Sequence, residues 1–110
     1  MHINDFLVEM VKKQASDMYL KVGSSPILRI DGRLSYMEKE GGEYVDRLSP
    51  AETSELAYSM ITEEQKAKFE KQFELDLSYS ASGIGRFRAN VFYQRNSVAI
   101  VFRRIPFEIP

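Results

Sequence analysis

The chain has 110 residues, enough for one domain with one core, and its apolar share of 44% is that of a globular protein rather than a disordered one. A formal charge of −1 supplies no overall basic field to recruit nucleic acid or anionic lipid, so any anion site must be local. There is no cysteine, which excludes disulfides and thiolate metal sites and fits a reducing compartment.

The sole histidine, His2, lies at a terminus expected to fray, and no role is expected for it. No apolar run approaches the ~20 residues that span a bilayer, and the first residues lack the basic and apolar regions of a secretory signal.

Ile3, Leu7, Met10 and Val11 recur at helical spacing and predict a helix from about 4 to 14, with Asn4 or Asp5 as its cap. In "SDMYLKV", Met18, Leu20 and Val22 alternate with polar residues, which predicts a strand. "ILRIDGRLSYM" predicts a hairpin whose Asp31-Gly32 supplies the positive φ angles of a type I′ turn.

Glu38 to Leu48 is polar and reads as loop. Ser49-Pro50-Ala51-Glu52 is a helix start with a capping box, and Leu56, Ala57 and Met60 form its inner face. Thr62-Glu63-Glu64-Gln65 starts a further helix, on which Phe69 and Phe73 are expected to stack at i, i+4. "ELDLSYS" predicts a strand, and "GIG" at 83 to 85 turns the chain into a final hairpin. The closing "IPFEIP" reads as the start of a linker, giving a domain at 1–105 and a connection from 106 to 110. Helix, three strands, two helices and three strands joined by short turns predict an α+β domain. Its antiparallel sheet has about six strands and is flanked by helices.

The final hairpin, "RFRANVFYQRNSVAIVFRRIP", holds Arg86, Arg88, Arg95, Arg103 and Arg104. A turn at Arg95-Asn96 makes residues whose numbers sum to 191 face each other. One face then pairs Phe87 with Arg104, Ala89 with Phe102, Val91 with Ile100 and Tyr93 with Val98, and must point to the core. The other face sets Arg88 directly opposite Arg103. Like charges in cross-strand register cost of the order of ~0.2–1 kcal/mol, and arginine cannot shed its proton. Either water or an internal carboxylate such as Glu74 or Asp76 offsets the repulsion, or an external polyanion does. Two guanidinium groups on adjacent strands make a multi-donor fork suited to phosphate. Arg104 is expected to reach solvent at the strand end or to meet an acid.

Gly83-Ile84-Gly85 is no phosphate loop: no lysine-serine follows and no helix starts there. No catalytic constellation is visible, and Ser24-Ser25 has no base nearby in sequence. Tyr19, Phe87, Phe92, Tyr93 and Phe102 could form a stacking platform, but at strand spacing they read as core.

"ASDMYLKVGSSPILRIDGRL" and "GIGRFRANVFYQRNSVAIVFRRIP", with the "SPAE" helix start and "EEQKAKFEKQFELDLSYS", resemble the N-terminal domain of the type IV pilus retraction ATPases of the PilT/PilU family. The second segment is nearer the PilU branch, as is Tyr19, where PilT proteins usually carry histidine. The resemblance implies a PAS-like domain preceding a RecA-like ATPase domain that is absent from this sequence. It implies a cytoplasmic homo-hexamer at the inner-membrane face, partnered by PilT and the pilus platform protein, that powers retraction and twitching motility. It implies ATP and Mg in the parent protein and none in the isolated domain, no metal site and no catalytic residue in this fragment, and nucleotide-phosphate binding by Arg88 and Arg103. Two other functions are open. One is a PAS-like small-ligand or protein-interaction module, which the large inner side chains disfavour. The other is single-stranded nucleic-acid binding, which the acidic balance disfavours.

Overall fold

A computed structural model describes residues 2–106. Among them the chain forms helices α1 (Ile3–Lys12), α2 (Pro50–Tyr58) and α3 (Glu63–Gln72). Its strands are β1 (Asp17–Leu20), β2 (Ile27–Ile30), β3 (Arg33–Tyr36), β4 (Glu74–Ala81), β5 (Gly85–Gln94) and β6 (Ser97–Ile105). The strands make one antiparallel sheet in the order β3-β2-β1-β6-β5-β4. It is two three-stranded meanders joined at their first and last strands, so β1 and β6 lie side by side at the centre. The expected α+β class and strand number are those observed. The linker expected from 106 lies, beyond Pro106, outside the described residues.

Alternation decides the faces. Met18, Leu20, Leu28, Leu75, Phe87, Ala89, Val91, Val98, Ile100 and Phe102 are buried on the inner face. The helices meet them with Ile3, Phe6, Leu7 and Met10 of α1, Leu56 and Ala57 of α2, and Phe69 of α3. Both predicted capping boxes form. The Glu52 N–H donates to Ser49 Oγ at 3.1 Å and the Ser49 N–H to Glu52 Oε1 at 2.9 Å. Thr62 and Gln65 repeat the exchange at the same distances.

The first helix differs at its start. The cap is His2, not Asn4 or Asp5: its Nδ1 accepts the Asn4 N–H at 3.0 Å, while Asp5 accepts the His2 N–H. Phe73 also departs from expectation. It is not a helical partner of Phe69 but the left-handed C-cap of α3, at φ 62°, and 61% exposed. Glu74 already belongs to β4, so one residue must reverse the chain, and no glycine is present to do it. Phe73 packs edge-on against Tyr93 at 5.4 Å, and Tyr93 stacks on Phe69 at 4.8 Å.

Asp31-Gly32 and Arg95-Asn96 both take the positive φ angles of tight hairpin turns. The 38–48 segment is mostly loop, pinned by single bridges between Glu38 and Tyr44 and between Val22 and Leu48. No helix among the described residues is long and apolar enough to cross a membrane.

Candidate functional site

The β5–β6 register is the one the turn implies: Arg86 faces Ile105, Arg88 faces Arg103, Asn90 faces Val101 and Phe92 faces Ala99. Arg88 and Arg103 therefore point to the same side of the sheet. That side is opposite the helices, and both residues are exposed there.

The row containing them runs across all six strands. Ser78 pairs with Arg88, Arg88 with Arg103, Arg103 with Asp17, Asp17 with Arg29 and Arg29 with Leu34. Its charges read plus, plus, minus, plus. Asp17 is the buried member, 5% exposed. Its Oδ1 accepts Arg103 Nε at 3.1 Å, and its Oδ2 accepts Ser16 Oγ–H at 2.7 Å and lies 3.7 Å from Arg29 Nε. Arg29 Nη2 in turn donates to the Tyr19 hydroxyl at 3.2 Å. That bond, ahead of the Asp17 charge, raises the Arg29 pKa above its ordinary value.

The internal carboxylate is thus neither Glu74 nor Asp76. Those two face Phe92 and Asn90 across β4–β5 and receive the Asn90 side-chain amide at 3.2 and 3.0 Å. Asp17 reaches Arg103 because β1 flanks β6 on its other side. No ion pair to Arg88 forms among the described residues.

Asp17 takes up only the Nε of Arg103. The Arg103 side chain remains 75% exposed, and no hydrogen bond among the described residues takes up its two terminal nitrogens. Beside the row lies a shallow apolar depression on the same face, lined in part by Tyr19, Ile27, Phe92, Ala99 and Val101. Tyr19 and Phe92 are half-buried there rather than in the core, whereas Phe87 and Phe102 are core.

The other hairpin arginines go elsewhere. Arg95 sits in the turn, with φ 53°. Arg86 and Arg104 flank an open cleft of about 920 Å³ at the sheet's end, lined also by Ser80 to Gly85, Ile105 and Pro106. Arg104 is half-buried there, and no acid pairs with it among the described residues. Nor do three or more His, Cys, Asp or Glu side chains gather among the described residues in a way that could hold a metal ion.

No protein-family model matches the chain. Over all 110 residues it is 37% identical to the type IV pilus ATPase PilU of Pseudomonas aeruginosa, of which it spans 27%. Over 109 residues it is 31% identical to the type IV pilus retraction ATPase PilT of the same organism, spanning 30% of it. The chain therefore covers less than a third of the length of these relatives. Among solved structures it superposes with a TM-score of 0.86 and 42% identity on the pilus retraction motor PilT with bound ADP, covering the whole of this chain and 31% of that one. The Legionella pneumophila ATPase DotB shares the fold, with a TM-score of 0.70 at 20% identity.

Proposed function

The chain corresponds to the N-terminal domain of the PilT/PilU family of type IV pilus ATPases, nearer PilU, and from that premise we propose that it presents Arg88 and Arg103 to the phosphates of a nucleotide held by an adjoining RecA-like ATPase domain. The observation that carries this is the cross-strand pair itself: two permanent cations in direct register on the uncovered face, one anchored through Nε with no hydrogen bond among the described residues on its terminal nitrogens. The bound ADP of the PilT structure supports a nucleotide as the anion.

The chemistry divides between two modules. The 110 residues contain no Gly-x-x-x-x-Gly-Lys-Ser/Thr loop, so this part positions charge and the other part cleaves the phosphoanhydride. A bound nucleotide supplies that bond, together with Mg held by the ATPase domain. Arg88 and Arg103 act as electrostatic stabilisers of charge on the phosphates, as an arginine finger does. Strand pairing over nine residue pairs fixes their spacing before nucleotide arrives. Departure of the cleaved phosphate after hydrolysis removes charge and loosens the hold between the sheet face and the ATPase domain, so the two rotate about the connection after Pro106. In a homo-hexamer those rotations drive pilus retraction and twitching motility. The assembly works in the cytoplasm against the inner-membrane platform protein, with PilT as partner motor.

The test uses the full-length protein. Arg88→Ala and Arg103→Ala should each lower ATPase turnover by about 10²-fold, the scale for removing one preorganised charge donor, with the hexamer and fold intact. Unchanged turnover in either variant would refute the assignment for that residue.

A further inference from the structure

We infer that Asp17 is a positioning residue for this site, an inference that rests on the proposed role of Arg103. Three observations carry it. Asp17 is buried although it lies on the otherwise uncovered face, whereas most carboxylates of this chain are exposed. Its two oxygens are divided: Oδ1 takes Arg103 Nε, and Oδ2 takes the Ser16 hydroxyl and lies beside Arg29. Arg29 is itself restrained by Tyr19, so the carboxylate is held from the side away from Arg103.

The geometry has a specific consequence for Arg103. A carboxylate that met the guanidinium end-on, through both terminal nitrogens, would consume the fork a phosphate needs. Asp17 meets the side instead. It restrains the last torsions of the arginine and leaves both terminal nitrogens without a hydrogen bond among the described residues. It also lies in the same row as Arg88, so it offsets part of the repulsion between the two arginines without sitting between them. Beyond that offset, Asp17 supplies position. Misplacing a charge donor by about 1 Å can cost as much as 10²-fold in rate.

The experiment is a double-mutant cycle on ATP turnover by the full-length protein, with kcat and KM measured separately and thermal melting recorded for each variant. Asp17→Ala should lower kcat/KM about tenfold. Asp17→Asn, which keeps an oxygen to accept Arg103 Nε–H, should stay within about threefold of the parent. In an Arg103→Ala background, Asp17→Ala should cause no further loss in kcat/KM, whatever it does to melting. Losses that multiply would show that Asp17 does not act through Arg103. So would a well-folded Asp17→Asn as impaired as Asp17→Ala, since the accepting oxygen would then not matter. If Arg103→Ala alone leaves turnover unchanged, the phosphate role of Arg103 fails and this inference with it. Additive losses in a protein where Arg103→Ala is damaging sink the inference alone.

Discussion

The two faces of the β5–β6 ribbon are drawn alternately from the same two strands and obey opposite rules. On the inner face Phe87, Val91, Ile100 and Phe102 are fully buried, and Phe87 meets Phe102 edge-on at 6.5 Å. On the outer face Arg88 confronts Arg103, and Phe92 is only half-covered beside Ala99. The inner face contributes stability through area removed from water. The outer face places charge where the sheet alone would not favour it. Stability and site are thus one residue apart along each strand, so a single-residue slip of register would exchange them. The long pairing, closed by a type I′ turn at Arg95-Asn96, prevents that slip.

The largest expected effect breaks the inner face. Phe102→Ala in this chain should cost about 3–5 kcal/mol, because removing a fully buried ring on the inner face, packed edge-on against Phe87, leaves a cavity. Denaturant titration of the 110-residue chain should show the loss as a lower midpoint with little change in slope. The contrasting outer-face truncation, Phe92→Ala, should cost about 1 kcal/mol, since a half-exposed ring loses roughly half of its burial free energy and leaves no enclosed void. Equal losses at the two positions would mean that the outer face is covered in solution, by a second copy or by the residues beyond 106.

Local signals in the sequence went far, and where they stopped has a physical reason. The capping boxes of α2 and α3, the turns at Asp31-Gly32 and Arg95-Asn96 and the β5–β6 register are legible, because each rests on local residue types. Arg88 opposite Arg103 followed from the turn alone. Asp17 did not. Its partner lies 86 residues away, and only the closing of the two meanders along β1 and β6 brings them together. The alternation of "SDMYLKV" does put Asp17 on the outer face, so its side was readable although its neighbour was not. Phe73 departs from its helical spacing for a related reason. Its spacing from Phe69 is helical, but the strand begins at Glu74, and the left-handed residue between them carries no glycine to announce it. The His2 cap carries no such signal, because histidine is not among the residues preferred at that position.

The smallest expected effect is the most discriminating, because its sign is opposite to most truncations. Arg88→Ala should stabilise the isolated chain slightly, by about 0.2–1 kcal/mol, since it relieves a like-charge cross-strand pair and breaks no ion pair among the described residues. Arg103→Ala should be closer to neutral. It relieves the same repulsion but also removes a hydrogen bond from the buried Asp17 carboxylate, which keeps only Ser16 and Arg29. The gain from Arg88→Ala should shrink as salt is raised from 0.05 to 1 M, on the order of the change in screening length from above 10 Å to about 3 Å. Melting curves at the two salt concentrations measure this directly. A destabilised Arg88→Ala at low salt would mean that the guanidinium already has a counter-charge within the chain. The outer face would then be a satisfied surface rather than one awaiting an anion.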